Sequence, residues 1–208
     1  MTALTLPARI APLFWTVCLA TPLFASASLA HDISLDDPTA SARQILQTVA
    51  PEAAFNGASA LRDAIWSEMP LTLVGIEFAE TDEIGYRDYT PRADAVFQQD
   101  DTLNLYLEPI GYAHSEVGDD FRIALTVDVV ISTPDGQIIV SQEDLAVIEQ
   151  VSDNKVYEFV AAVSLSFTEF PAGSYNLELT LNDDASAKTV STILPFEVVA
   201  VAGDEAEN

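Results

Sequence analysis

Two hydrophobic periods divide this chain. Between residues 31 and 70 the apolar positions repeat at helical spacing. Asp36 and Asp37 are cap-type residues, Pro38 stands near a helix start, and Ile45, Leu46 and Val49 share one face. Pro51 interrupts the pattern. "ASALRDAIWSEM" resumes it with Leu61, Ala64, Ile65 and Glu68, and Pro70 ends it. These residues predict two short helices, an arm that needs a surface to pack against.

From residue 71 the period falls to two. "LTLVGIEFAE", "TLNLYLEPI", "FRIALTVDVVIST", "QIIVSQ", "KVYEFVAAVSLSF", "YNLELTLN" and "TVSTILPFEVV" read as strands. Turn-forming clusters separate many of them: "PDG", "FPAGSY" and "DDASAK". Leu103, Leu105 and Leu107 alternate with Asn104, Tyr106 and Glu108, which predicts one buried and one wet face. About seven such strands predict a mainly β chain, an antiparallel immunoglobulin-like β-sandwich with a short N-terminal helical arm. The expected organisation is a signal peptide over 1–30, the arm over 31–70, the sandwich over 71–200 and a disordered acidic tail over 201–208.

The signal-peptide reading rests on composition. Arg9 is the only charge before position 31, "IAPLFWTVCLATPLFA" is apolar, and "SASLA" supplies small residues before a cut after Ala30, with Ala27 as the second choice. Export to the periplasm or beyond follows, with no integral membrane segment in the mature chain. Cys18, the only cysteine, lies inside the segment to be removed. The mature chain therefore has no disulfide, catalytic cysteine or thiolate metal site, and relies on its hydrophobic core.

Charge narrows the partners. The whole chain carries a formal −25, and loss of Arg9 with the signal peptide leaves the mature chain at −26. That field repels nucleic acid and anionic headgroups, and favours solubility and cations.

Residues 60 to 199 resemble a family of uncharacterised exported bacterial proteins. The resemblance is carried by a Tyr-x-Pro-Arg approach (Tyr89, Pro91, Arg92), Phe97 before a turn, a strand ending in Glu108-Pro109-x-Gly111-Tyr112, and a closing Pro171-x-Gly173-x-Tyr175 hairpin. "QQDD" stands where that family has a turn rich in Gly and Pro. The resemblance implies fold and compartment, and brings no activity with it. The closing hairpin also resembles the last strands of immunoglobulin-like and macroglobulin-like modules, which bind or space other proteins.

Candidate chemistry is sparse. There is no Gly-x-Ser-x-Gly elbow, His-Glu-x-x-His motif, phosphate-binding glycine loop or dinucleotide fingerprint. Arg92 and Glu108, beside Tyr86, Tyr89, Tyr106 and Tyr112, form the first candidate: a structural ion pair, or a polar-aromatic patch for a peptide, glycan or partner loop. His31, at the N-terminus left by a cut after Ala30, offers an amine and a ring nitrogen. With His114 it would give three nitrogens for copper, a constellation resembling that of copper proteins built on exported β-sandwiches. Asp100-Asp101, Asp119-Asp120 and Asp183-Asp184 at strand ends offer oxygens for calcium. The leading expectation is a non-catalytic binding or scaffolding module without cofactor, acting beside another envelope protein. A calcium or copper protein and a two-carboxylate hydrolase are the alternatives.

Overall fold

A computed structural model describes residues 37–168 and 170–200. The expected signal peptide, His31 and the acidic tail lie outside the described residues. The chain divides into two compact units after Val49.

The first unit contributes one described helix, α1 (Pro38–Thr48). Asp37 caps it: its carboxylate accepts from the Ala40 amide at 2.9 Å, and Pro38 occupies the first turn, where no amide proton is needed.

The second unit begins with α2 (Pro51–Glu68). The periodicity makes Pro51 a break and starts the second helix near Ala58. Instead Pro51 opens the helix, because proline at the first helical position loses no hydrogen bond. Met69 is already extended ahead of Pro70, which ends it.

Nine strands follow: β1 (Thr72–Ala79), β2 (Val96–Gln98), β3 (Thr102–Ile110), β4 (Ser115–Val117), β5 (Asp120–Ser132), β6 (Ile138–Ser152), β7 (Ala161–Ser166), β8 (Gly173–Asp183) and β9 (Thr189–Val199). They form two sheets packed as a sandwich. The smaller has the order β1-β3-β7. The larger runs β2-β9-β8-β5, with β4 beside the start of β5 and β6 along its other edge. All pairings are antiparallel except β2 with β9. The expected seven strands become nine because β2 and β4 are three residues long and carry no readable alternation. The core joins Leu103, Leu105 and Leu107 of β3 to the inner faces of β5, β7, β8 and β9. No helix of the described residues is long and apolar enough to cross a membrane.

Two strand expectations need correction. "KVYEFVAAVSLSF" is a strand only over β7, and residues 153–160 connect it to β6. Conversely, β6 runs well past "QIIVSQ". Val127 pairs with Ala146 and Val129 with Gln142, so Glu143, Asp144 and Leu145 stand opposite Asp128 alone. This bulge puts Asp144 at φ 50°, and its amide donates to the Asp128 carboxylate at 2.8 Å. The bulge breaks the alternation that would have revealed the strand.

The outer face of β3 is not wet. Asn104, Tyr106 and Glu108 are all buried. Chain segment 80–92 folds back beside β1, with the Glu80 amide donating to Thr90 O and the Arg92 amide to Phe78 O. Its Tyr86, Arg87 and Tyr89 reach Tyr106 and Glu108.

Candidate functional site

Three side chains converge on the Glu108 carboxylate. Arg87 grips it with Nη2 at 2.7 Å and Nε at 3.2 Å from Oε1. Tyr106 donates to Oε2 at 2.9 Å and Tyr86 to Oε1 at 3.2 Å. Tyr89 stacks on Tyr106 with centroids 4.0 Å apart and planes 10° from parallel, and donates to Glu77. The guanidinium holds the Glu108 carboxyl below its usual range against the opposing effect of burial. Burial, and then its bond to Glu108, push the Tyr106 hydroxyl up to about 12.

The expected pairing of Glu108 with Arg92 needs correction. Glu108 pairs with Arg87, and Arg92 lies elsewhere. Arg92 Nη2 donates to Val96 O at 2.7 Å and faces Asp101 at 3.7 Å, and its guanidinium lies 4.3 Å over the Phe97 ring. Its Nε is buried, 4.0 Å from Asp94, without a hydrogen-bond partner among the described residues. Arg92 thus braces the β2 approach. Tyr112 also leaves the expected patch: it is buried in the core, with its hydroxyl on Val156 O at 2.9 Å.

Tyr112 and His114 belong to a second cluster, formed where α2 meets the β3–β4, β6–β7 and β8–β9 connections. Trp66 packs edge-on against Tyr112 at 5.0 Å and Tyr157 at 4.8 Å, and its indole donates to Tyr112 O at 2.8 Å. His114 lies 5.4 Å from both tyrosine rings, with Nε2 2.7 Å from Val156 O. Since a carbonyl only accepts, Nε2 carries the proton. Burial lowers the His114 pKa against the opposing effect of the Val156 bond, which favours the neutral ring near pH 7. His31, the other half of the expected copper site, lies outside the described residues.

The aspartates expected to offer oxygens to calcium lie at separate turns and strand ends. Among the described residues no three His, Cys, Asp or Glu side chains group as metal ligands. Turn chemistry occupies the aspartates instead. Asp101 accepts from the Gln98 amide at 2.8 Å. Asp183 accepts from Ala113 N, Ala185 N and Ser186 Oγ at 2.7 to 3.0 Å. Asp119 lies in the β4–β5 turn and Asp120 opens β5, while Asp100 lies in the β2–β3 turn and Asp184 in the β8–β9 turn. For the hydrolase alternative, Glu77 and Asp94 border one open groove with Arg92. Both are engaged: Glu77 by Tyr89, Asp94 by the Val96 amide.

The third feature had no sequence signal. Among the described residues β7 pairs only with β3, and β6 only with β5, so both strands present a free edge on the same side of the sandwich. Three strands cannot cover the larger sheet. Where they stop, a slot of about 260 Å³ opens, its apolar walls Val129, Ile131, Val140, Leu145 and Leu165 interrupted by Gln142 of β6 and by Ser164 and Ser166 of β7. Beyond it β6 exposes Ile138, Val147 and Val151 at 62%, 60% and 51%. The two edges differ in protection. The bulge and its two acids blunt β6, as edge strands commonly are. The six residues of β7, "AAVSLS", hold no charge, proline or bulge.

No protein-family model matches the sequence, and no curated protein matches it. Among solved structures the chain is similar to CopC from Methylosinus trichosporium OB3b, at 14% identity and a TM-score of 0.32, over 64% of this chain and 97% of that one. A likeness at that score transfers no ligand.

Proposed function

We propose that this chain is a non-catalytic interaction module that accepts an extended segment of another protein along β7. The supporting observation is the unprotected β7 edge beside a slot of mixed apolar and polar walls. An added strand would pair its backbone with β7, and alternate side chains would enter the slot over Val140 and Leu145. Charge specifies the occupant. The bulge presents Glu143 and Asp144 on the neighbouring edge of a chain at −25. The segment therefore alternates apolar residues and carries lysine or arginine, with its basic side chains meeting those acids.

The same proposal places the chain outside the cytoplasm, in the periplasm or secreted, among the exported bacterial proteins it resembles, with another envelope protein as partner. The layout of the first 30 residues supports that placement.

The test is a titration with two synthetic peptides of equal length, one alternating valine with lysine and one alternating valine with glutamate. The lysine peptide should bind, and the double variant Glu143→Lys/Asp144→Lys should weaken it. Equal binding of both peptides, or no effect of the double variant, contradicts the proposal.

A further inference from the structure

Lysine is scarce here. The sequence has two, Lys155 and Lys188, separated by 33 positions, and both line one cavity. The cavity holds about 220 Å³. Its other walls include Trp66, Tyr112, His114 and Tyr157, so four rings and both ammonium groups border the same space.

The charges there are unevenly paired. Asp63 is the acid in the lining. Tyr157 donates to it, Arg62 lies 3.1 Å from it and Lys155 3.5 Å. Arg62 also sits 4.0 Å over the Tyr157 ring. Lys188 has no carboxylate partner among the described residues of the cluster. Its ammonium donates to Ser67 O at 2.9 Å and Gly111 O at 2.8 Å, which leaves one of its three protons. Asp183, a second carboxylate, accepts from Ala113 N and Ser186 Oγ of the lining and from Ala185 N. The lining thus carries Lys155 and Lys188 against Asp63, and among the described residues Lys188 is the cation there without a carboxylate partner, on a protein whose remaining surface repels anions.

Size and walls set the rest of the ligand. An apolar cavity of about 150 Å³ accepts a benzene ring. This one has room for a ring and a carboxylate. Trp66 and Tyr157, both half-buried, offer ring surface to a flat apolar body, and neutral His114 adds no charge. We propose that the cavity between the end of α2 and the β6–β7 connection binds a small aromatic carboxylate, its ring against Trp66 and Tyr157 and its charge between Lys155 and Lys188.

The probe is benzoate, measured by calorimetry on the full chain, with benzyl alcohol and acetate as the uncharged and ringless controls. Benzoate should bind at least about tenfold more tightly than either, the step expected of a charge-assisted hydrogen bond. Lys155→Met should remove most of that preference with little change in Tm, since Lys155 is exposed. A second measurement needs no variant to survive: benzoate should shift the indole N–H resonance of Trp66. Equal binding of benzoate and benzyl alcohol, or of benzoate and acetate, overturns the proposal. So does an unmoved Trp66 resonance at millimolar benzoate.

Discussion

Arg87 reaches Glu108 from a left-handed backbone: its φ is 53°, and its Nη2 lies 2.7 Å from Oε1. Residues 85–88 close on themselves, with the Gly85 and Asp88 amides and carbonyls exchanging bonds at 2.7 and 3.1 Å. That turn throws Tyr86 and Arg87 onto the outer face of β3. A non-glycine residue at positive φ costs free energy, and the ion pair offsets it. Arg87→Ala should therefore lower Tm, as should Glu108→Gln. The double variant should fall by clearly less than the sum, which a double-mutant cycle of thermal unfolding reads directly. Arg92→Ala, combined with Glu108→Gln, should give an additive result.

Glu108 also sets a pH dependence. Its folded pKa lies below the ordinary 4.5, first because of Arg87 and then Tyr106 and Tyr86. A lowered carboxylate pKa contributes stability that is fully present above the unfolded value and is lost as pH falls through the folded one. Urea midpoints should thus decline below about pH 4.5, and Glu108→Gln should flatten that decline relative to the parent.

Trp66 is the anchor of α2. No residue of that helix is fully buried, and Phe55, Leu61 and Ile65 are exposed at 72%, 58% and 54%. Trp66 holds the helix through its rings against Tyr112 and Tyr157 and its indole bond, beside the polar contacts of Asp63 and Ser67 with Tyr157, Lys155 and Lys188. Trp66→Ala should cost about 3 kcal/mol or somewhat less. It should also open residues 50–70 to limited proteolysis while the strands stay protected.

Gly111 explains a mark of the Glu-Pro-x-Gly-Tyr stretch. Its φ is 79°, and a Cβ there would lie 2.4 Å from Pro70 O. The chain leaving α2 crosses against this backbone with no room for a side chain. Gly111→Ala should destabilise by on the order of 3 kcal/mol, read as a lower urea midpoint. Gly57, with open space around it, should accept alanine with unchanged or slightly raised stability.

Regular alternation made most of the sheets legible in sequence. The closing strand, "TVSTILPFEVV", spans β9 as read, and "TLNLYLEPI" spans β3. What escaped depends on long-range geometry. The second half of β6 was hidden by the bulge at Asp144, which resets its alternation. The burial of Tyr106 and Glu108 depends on a segment 20 residues away folding over them. Arg87 and Arg92 are equally plausible partners by spacing, and the Gly85–Asp88 turn decides between them. The aromatic cavity assembles residues 63, 66, 112, 114, 155, 157 and 188, and its one linear clue was the rarity of lysine.

The free β7 edge carries the functional account, and amide hydrogen exchange with and without the alternating valine-lysine peptide tests it most directly. The account predicts that amides of residues 161–166 slow on peptide addition, joined by β6 amides around Val140 and Leu145, while β1 and β9 are unchanged. Slowing that spares β7, or none at a peptide concentration that saturates binding, would contradict it.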